Sequence, residues 1–334
     1  MTLASENTFA EPRYFFVVGS PRSGTTLLQT MLMRAPGVTM PPELHYVHIT
    51  YKRRHRMADI RTDKGWEQAC NAIKARCKHS DIDMDSALFD RLCETGERTY
   101  ARLFRIWLTA IGAVDGASVV GEKTPNHCEW VLEIVAMIPE ARIIHIMRDP
   151  RDSAVSQREA FGRHALQAAV RWKRDLEMHR DCQRLIPADR YTAVRYEDLV
   201  TDPQAVIKPL SAFLDVPYVE DMLDPGGREK KGFSSYEAHK LRTLDKVTSS
   251  RIGRYKQKMS AMNIAVIEHI CGPLMEEMGY TLERKNPLLG LIGCAIQAPA
   301  VAWRRLRGDR RRQGMLDQEA EHGKPVFHQQ PEAS

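Results

Sequence analysis

The sequence predicts an α/β fold in which a central parallel sheet is flanked by helices. Short, wholly apolar runs such as Tyr-Phe-Phe-Val-Val at 14–18 are typical of strands that are buried on both faces of a sheet. Segments with apolar residues at helical spacing alternate with these runs along the chain. Such alternation favours parallel strands that are joined by helical crossovers.

The predicted elements follow one another without an internal repeat or a low-complexity linker before residue 285. The strand at 14–18 leads through a glycine-rich loop into a helical segment at 25–34. The other strand candidates are 117–120, 141–147 and 191–195. Helical spacing is found at 64–78, 86–112, 127–137, 164–186, 203–214 and 259–279. We therefore expect one domain over residues 13–284, preceded by a polar N-terminal arm at 1–12.

The segment 52–115 is a long, charged and helical insertion between the first strand–helix unit and the next strand. Such an insertion is typical of a lid or of a subdomain that binds an acceptor. It is equally typical of extra helices that pack on one edge of the sheet. The residues alone leave both interpretations open.

Charge is unevenly distributed along the 334 residues. The formal net charge of +6 comes from 49 Lys and Arg against 43 Asp and Glu, yet residues 284–312 alone contain eight basic residues and one acidic residue. The rest of the chain is nearly neutral, so net charge gives no reason to expect a nucleic-acid partner. An apolar content of 43% and a charged content of 28% also exclude a disordered or collagen-like chain.

The seven cysteines form no C-x-x-C pair and no Cys/His spacing typical of a metal site. An odd number of unpatterned cysteines is typical of a reduced protein, so we expect a cytoplasmic location and no metal. The first fifteen residues lack the basic and apolar regions of a signal peptide. No run reaches the ~18 to 20 apolar residues that a membrane-spanning helix needs.

An apolar and basic segment at 285–312 follows the predicted domain. Its apolar part, 288–303, is shorter than a membrane span and is followed by six arginines between 304 and 312. This pattern is typical of a helix that lies in an anionic membrane interface, which would make the protein peripherally membrane-associated. It is equally typical of a helix packed on the domain with a solvated arginine run. Residues 313–334 have the composition of a disordered tail.

The loop after the first strand has the composition of an anion-binding site. Residues 19–26 read Gly-Ser-Pro-Arg-Ser-Gly-Thr-Thr and stand between the strand and a helix, where backbone N–H groups and a helix N-terminus converge. The spacing is that of a Walker A motif, but Thr25 occupies the position at which that motif requires lysine. A cation is instead supplied within the loop by Arg22, whose guanidinium can bind a phosphate at two points.

The run Pro-Arg-Ser-Gly-Thr-Thr at 21–26 resembles the 5′-phosphosulfate loop of sulfotransferases, which use 3′-phosphoadenosine 5′-phosphosulfate (PAPS) as donor. The resemblance implies a P-loop-like sulfotransferase fold, and it is closest in motif to the bacterial, tyrosylprotein and heparan-type members. Leu27 stands where cytosolic members have a tryptophan that stacks on adenine, which points away from the phenol- and steroid-type enzymes. The resemblance implies that the loop binds PAPS through Arg22, Ser23, Gly24, Thr25 and Thr26.

Three later motifs agree with this resemblance, and each implies a contact with the donor. Arg148 and Ser156, in a run similar to the family's R-D-x-R-x-x-x-x-S, would bind the 3′-phosphate. Tyr196, in Arg-Tyr-Glu-Asp-Leu, would contact the adenine. Arg254, in a loop similar to the one that closes over the donor, would bind a phosphate, with Arg251 as the alternative. The residues expected to brace the helix start after the second motif, through capping and dipole contacts, are Arg151 and Asp152.

The resemblance also implies three catalytic residues. Glu43, in Pro-Pro-Glu-Leu-His-Tyr, is similar to the Glu that acts as base in the tyrosylprotein and heparan branches, and His45 is the competing base or orients Glu43. Lys123, in Gly-Glu-Lys-Thr-Pro, would reach the oxygen between sulfur and phosphate. It would share with Arg22 the stabilisation of the charge that develops there. His127 is expected to be a core or helix-start residue rather than a catalyst.

We therefore predict an enzyme that transfers a sulfuryl group from PAPS to a hydroxyl acceptor without a metal and releases 3′,5′-adenosine bisphosphate (PAP). The acceptor can be a small molecule, a glycan, a lipid or a peptidyl tyrosine, and the sequence does not choose among them. Two alternatives stay open. An atypical P-loop kinase would depend on Mg-ATP, and a non-catalytic sulfotransferase-like binding module would bind nucleotide without turnover.

Overall fold

A computed structural model describes residues 11–224, 247–283 and 286–302. Within this part of the chain, five strands form a parallel sheet in the order β2-β3-β1-β4-β5. The strands are β1 Arg13–Val18, β2 Val38–Thr39, β3 Val119–Glu122, β4 Arg142–Met147 and β5 Tyr191–Arg195. The predicted fold class, a parallel sheet flanked by helices, is confirmed. The sequence does not predict β2, because this strand has only two residues and no apolar run.

Helices connect the strands and flank the sheet. In chain order they are α1 Thr25–Leu32, α2 Tyr46–Ile49, α3 Asp63–His79, α4 Ser86–Glu94, α5 Tyr100–Asp115, α6 Val131–Met137, α7 Pro150–Phe161, α8 Ala165–Leu185, α9 Tyr196–Thr201, α10 Pro203–Leu214, α11 Tyr255–Lys258 and α12 Ala261–Glu277. A further helix, α13, runs over 287–302. Short 3₁₀ helices are Tyr51–Arg56, Pro125–Trp130, Glu220–Leu223 and Ser249–Arg251. None of the described helices is long and apolar enough to cross a bilayer.

The single helix predicted at 86–112 is wrong, because the structure has two helices there, α4 and α5. The break lies at residues 95–99, where Gly96 adopts a φ of 80°, a conformation that favours glycine. Thr99 then begins α5 as its N-cap, since its side chain accepts a hydrogen bond from the Arg102 N–H. Gly96 and the Thr99 cap therefore divide into two helices a segment whose apolar spacing predicts one.

Alternate side chains of β1 enter two separate cores. Tyr14, Phe16 and Val18 lie in a first core, which they share with α3 and α5. Phe15 and Val17 lie in a second core, which they share with α1 and α10. All five side chains are at most 3% exposed. Burial on both faces explains why this strand is a continuous apolar run rather than an alternating one.

The insertion at 52–115 contributes to the first core. Trp107 on α5 is fully buried, and the ring of Phe104 stacks on that of Tyr46 with their centroids 4.0 Å apart. α5 is therefore a helix packed on the sheet rather than part of a lid. In addition, α3 reaches the loop after β2, where the Arg76 guanidinium donates to the Glu43 carbonyl oxygen at 2.6 Å.

The parallel sheet brings distant motifs to one edge. The carboxyl ends of parallel strands lie on the same side of a sheet, and ligands of open α/β sheets bind there. In sheet order, the predicted site residues at these ends are Glu43 after β2, Lys123 after β3, Arg22 after β1, Arg148 after β4 and Tyr196 after β5. The topology thus places the base, the cations and the adenine contact predicted from sequence in one row.

Some expectations fall on other parts of the chain. The N-terminal arm up to residue 10, the arginine run at 304–312 and the tail at 313–334 lie outside the described residues. The cysteines lie within them, and all seven are free thiols. In the described ranges, no group of three or more His, Cys, Asp or Glu side chains is placed to hold a metal ion.

Two buried histidines, His145 on β4 and His179 on α8, share the hydroxyl group of Tyr191. The Tyr191 hydroxyl lies 3.1 Å from Nδ1 of His145 and 2.7 Å from Nδ1 of His179. Burial lowers the pKa of His145 well below its ordinary value and the pKa of His179 to about 4. Below about pH 6.5 the unfolded chain therefore binds protons at both histidines, whereas the folded chain keeps them neutral.

We expect acid to destabilise the fold through these histidines. The free energy of unfolding should fall by about 1.4 kcal/mol per pH unit for each histidine as the pH decreases from about 6.5 towards 4. Urea denaturation at about pH 7 and about pH 5 measures the change. His179→Gln should reduce the difference between the two pH values by about 2 kcal/mol, and an unchanged difference would contradict the assignment.

Candidate active site

The loop between β1 and α1 has a backbone that side chains would obstruct. Gly24 has a φ of 95°, and a Cβ there would lie 2.4 Å from Cδ2 of Tyr196. At Gly19 a Cβ would lie 2.2 Å from the carbonyl oxygen of Ile146 on β4. Both glycines therefore let the loop lie directly against its neighbours. As the N-cap of α1, Gly24 also brings no side-chain acceptor, which leaves first-turn N–H groups for an anion.

The loop contacts the motif that follows β4 at three points. Nε of Arg22 donates to the Ser156 hydroxyl at 3.1 Å. Nη1 of Arg148 donates to the Arg22 carbonyl oxygen at 3.1 Å. The Ser153 hydroxyl donates to the Pro21 carbonyl oxygen, also at 3.1 Å. The structure thus brings together two motifs whose contacting residues are separated by 126 to 134 positions in the sequence.

Three arginines concentrate positive charge at this place. Burial lowers the pKa of Arg22, and the positive charges of Arg251 and Arg148 lower it further. Arg148 is only 4% exposed, and its Nη2 donates to the Arg251 carbonyl oxygen at 2.8 Å. Like charges at close range repel one another, so an anion that binds among them would relieve the repulsion.

Among the buried polar atoms that lack a hydrogen-bond partner in the described residues, two belong to residues predicted to bind the donor. They are the Ser23 hydroxyl and Nε of Arg148. Buried polar groups in folded proteins are almost always hydrogen-bonded. A ligand with several anionic oxygens would satisfy both atoms, so these residues fit the phosphate groups that the sequence predicts.

Tyr196 packs against both the arginine cluster and the glycine-rich loop. The Arg148 guanidinium lies over its ring, 4.2 Å from the centroid, as a cation–π contact. The same ring packs against Gly24, and Tyr196 is 5% exposed. The residue predicted to contact adenine is thus also part of the second core, and it fixes both the loop and the arginine.

The start of α7 is braced in part as predicted, because Asp152 lies in its first turn and Arg151 contacts its N-cap, but the cap itself is another residue. Its N-cap is Asp149, whose carboxylate accepts a hydrogen bond from the Arg151 N–H at 2.8 Å and pairs with the Arg151 guanidinium at 2.7 Å. Asp152 does not cap the helix. It accepts from the backbone N–H groups of Gly253 and Tyr255 at 2.6 and 2.9 Å. Asp152 therefore ties the loop with the two candidate phosphate arginines to α7.

The two arginines of that loop have different surroundings. Nη2 of Arg254 pairs with Oε1 of Glu159 at 2.8 Å. Arg251 offers its carbonyl oxygen to Arg148, and its charge acts on Arg22. Arg251 therefore lies with Arg22 and Arg148, whereas the Arg254 guanidinium is paired with a carboxylate. The spacing in the sequence contains no sign of this ion pair.

At the other end of the sheet edge, Glu43 and Lys123 form an ion pair. Nζ of Lys123 lies 2.8 Å from Oε1 of Glu43, and Nε2 of His45 lies 3.3 Å from Oε2 of the same carboxylate. The Lys123 side chain is 1% exposed and that of Glu43 is 14% exposed, so the pair is shielded from bulk water. His45 has a φ of 55°, which is uncommon for a residue with a side chain and marks a tightly held loop.

Glu122, a buried carboxylate that the sequence analysis did not single out, holds this loop in place. Its Oε1 accepts from the Leu44 N–H at 3.3 Å and from the Thr124 hydroxyl. The Thr124 oxygen in turn accepts from the His45 N–H at 3.2 Å. Nδ1 of His127 lies 2.9 Å from Oε2 of Glu122, and His127 is fully buried, as expected of a core residue.

The surroundings of Glu122 favour its charged form. Burial alone would raise the pKa of this carboxyl, but His127 and the Thr124 hydroxyl outweigh burial, and the pKa is lowered. A charged Glu122 is a strong acceptor for the backbone that carries Glu43. Its one signal in the sequence is its place next to Lys123 at the end of β3.

A family model described as "Sulfotransferase family" matches residues 12–221. The chain belongs to the sulfotransferase family. The matched part contains all five strands of the sheet and the loops that carry the Glu43, Lys123, Arg22 and Arg148 motifs. The family resemblance of the sequence motifs and the observed fold therefore agree.

Solved sulfotransferase structures share this fold. The sulfotransferase domain from the curacin biosynthetic pathway gives a TM-score of 0.58 at 19% identity, over 81% of this chain and 99% of that domain. The sulfotransferase domain from the Synechococcus PCC 7002 olefin synthase gives a TM-score of 0.59 at 21% identity, over 81% and 96%. Both likenesses show a common fold.

Relatives of this chain match it over different shares of their own length. Protein-tyrosine sulfotransferase 1 of Danio rerio is 22% identical over 82% of this chain and 74% of its own length. The protein-tyrosine sulfotransferase of Drosophila melanogaster is 26% identical over 62% of this chain and 39% of its own length. An uncharacterized protein of Aquifex aeolicus is 26% identical over 64% of this chain, which spans only 26% of that relative.

We expect Gly24→Ala to weaken nucleotide binding. The added methyl group would meet the Tyr196 ring, and alanine disfavours the positive φ at this position. Displacement of the loop should raise the Kd for PAP at least about tenfold, measured by isothermal titration calorimetry.

Gly162→Ala is the matched control. Gly162 also has a positive φ, of 61°, but no other part of the described chain comes within 4 Å of its added Cβ. This variant should lose only the ~1 to 2 kcal/mol of left-handed strain in a denaturant titration and should bind PAP normally. If both variants bound PAP equally well, the loop would not depend on Gly24.

Proposed function

We propose that this chain transfers a sulfuryl group from PAPS to the hydroxyl group of an acceptor. The observation that supports the proposal most is the contact between the two phosphate motifs, in which Arg22 meets Ser156 and Arg148 meets the Arg22 carbonyl oxygen. Each motif adds a buried polar atom without a partner among the described residues. This construction suits a nucleotide with anionic groups at two separate positions.

The donor would be held by residues from three strand ends and from the loop that precedes α11. The 5′-phosphosulfate is assigned to the loop residues Arg22, Ser23, Gly24, Thr25 and Thr26. The 3′-phosphate is assigned to Arg148 and Ser156, with Arg251 or Arg254 as the third contact. Tyr196 is assigned to the adenine, which agrees with its position at the end of β5.

The chemistry divides between the donor and the protein. When bound, PAPS supplies an activated sulfuryl group attached to a bisphosphate leaving group. Glu43 accepts the proton of the acceptor hydroxyl and so makes its oxygen a better nucleophile. Lys123 has three N–H donors, so it can hold Glu43 and still stabilise negative charge on the leaving oxygen. Arg22 stabilises the same charge from the loop, and His45 orients the second oxygen of Glu43.

The acceptor is proposed as a hydroxyl on a peptide, a glycan, a lipid or a small molecule. Relatives of this chain are named as protein-tyrosine sulfotransferases, so a peptidyl tyrosine is the first acceptor to assay. The contact of Arg76 with the Glu43 carbonyl oxygen brings the insertion to the side of the site where an acceptor must approach the base. Labelled PAPS incubated with peptide, glycan and lipid fractions would identify the acceptor class by the transfer of label.

Arg148→Gln should weaken binding of PAP far more than binding of adenosine 5′-monophosphate. The two nucleotides differ by the 3′-phosphate, and the variant removes the cation assigned to it. We expect the Kd for PAP to rise about 10- to 100-fold. The Kd for the monophosphate should rise at least about threefold less, because its only loss is indirect, through the hydrogen bond that Arg148 donates to the Arg22 carbonyl oxygen of the loop. Arg142→Gln, at the other end of β4, is the matched control and should affect neither. Equal losses for both nucleotides would overturn the assignment.

Glu43→Gln should retain PAP binding and lose turnover. The amide keeps the size of the side chain and a contact for Lys123, but it cannot accept the acceptor proton. We expect the turnover number to fall by about 10²- to 10⁴-fold. Glu140→Gln makes the same substitution in a surface ion pair, with Arg105, and should leave turnover unchanged.

The same assays separate the alternatives. A binding module would show no turnover in the unmodified chain, although it would bind PAP. An atypical kinase would consume Mg-ATP and would gain no thermal stability from PAP. Absence of both PAP binding and sulfuryl transfer in the unmodified chain would refute the proposed function.

A further inference from the structure

The helix α13 packs on α12 through residues that have little or no side chain. A Cβ at Gly290 would lie 2.7 Å from the Ala265 carbonyl oxygen, and a Cβ at Gly293 would lie 2.5 Å from Cγ2 of Val266. Gln297 adds hydrogen bonds to α12 and to the start of α8. This side of α13, which we call its inner face, is therefore held closely on the domain.

The opposite side of α13, its outer face, is apolar and exposed. Leu288, Leu291, Ile292 and Ile296 are 63%, 53%, 46% and 60% exposed. At about 100° per residue, these four positions span an arc of about 140°, which places them on one side of the helix. Nine large hydrophobic side chains are exposed in the described ranges, and these four are concentrated within nine consecutive residues. Residues 287–302 contain no charged residue, so no charged side chain interrupts the outer face.

A cationic run follows the outer face directly in the sequence. Residues 304–312, which lie outside the described residues, contain six arginines and one aspartate. A bilayer with anionic headgroups combines both complementary chemistries, because its acyl boundary accepts apolar side chains and its headgroups attract arginine. A folded protein partner would need a separate acidic surface beside an apolar groove. The described part of α13, residues 287–302, is too short to cross the bilayer, so it would lie along the surface.

We propose that the outer face of α13 docks on an anionic phospholipid membrane. Because the inner face already holds the helix on α12, docking requires no folding of α13. The outer face is a surface separate from the nucleotide site, so the inference does not rest on the proposed function. It extends the two sequence interpretations, since the helix is packed on the domain and still presents an apolar face.

Co-sedimentation with vesicles tests this proposal on the full chain. Vesicles of phosphatidylcholine with about 30% phosphatidylserine should retain the protein, and vesicles of phosphatidylcholine alone should bind it at least about tenfold more weakly. Leu288→Ser, Leu291→Ser and Ile296→Ser, combined in one variant, should lower binding to the anionic vesicles at least about tenfold. The matched control combines Val114→Ser and Leu185→Ser, which are 49% and 58% exposed elsewhere on the domain, and should bind normally.

Further measurements make each outcome decisive. A thermal melt and PAP binding establish that the variants are folded, and both should match the unmodified chain. Arg310→Gln, Arg311→Gln and Arg312→Gln together should weaken binding to anionic vesicles and reduce its salt dependence. No binding by the unmodified chain would overturn the proposal, as would equal binding by the outer-face variant. Dimerisation that the outer-face variant abolishes, without vesicle binding, would instead assign the face to a second copy of the chain.

Discussion

The buried guanidinium of Arg148 is the contact on which the rest of the site depends. It lies over the Tyr196 ring and donates to the carbonyl oxygens of Arg22 and Arg251. These partners follow β5, follow β1 and precede α11, so one side chain joins three separate stretches of the chain. A guanidinium suits this position because its donors lie in a rigid plane that can also stack on an aromatic ring. A lysine offers a single point charge and no flat surface.

This arrangement is unfavourable for the protein in the absence of an anion. Burial disfavours a cation, and neighbouring arginines repel one another, as the lowered pKa of Arg22 reflects. Carboxylates balance the surrounding cations, since Asp149 pairs with Arg151 and Glu159 pairs with Arg254. Two further carboxyls, Asp152 and Glu197, lie near enough to Arg148 for its charge to oppose the rise that burial causes in their pKa. The stability of the surrounding cores thus holds Arg22, Arg148 and Arg251 close together despite their mutual repulsion.

Sequence patterns predict the fold class because strands buried on both faces are continuous apolar runs. They miss β2, which is too short to carry a pattern, and they read through the break at Gly96. Motif spacing locates the glycine-rich loop and Arg148 at strand ends, where the structure has them. It does not reveal the ion pair between Arg254 and Glu159 or the role of Glu122 beneath the Glu43 loop. Both depend on contacts between segments that are distant in the chain, which local patterns do not contain.

The inner face of α13 also fixes the direction in which that helix points around its own axis. An α-helix advances by about 100° per residue, so a rotation by one position would bring a bulkier side chain to the place of Gly293. The space there is already less than a methyl group needs, because Cγ2 of Val266 fills it. Only one rotation of α13 about its own axis therefore fits against α12. The absence of two methyl groups thus sets how the carboxyl edge of the sheet is oriented towards any surface on which α13 rests.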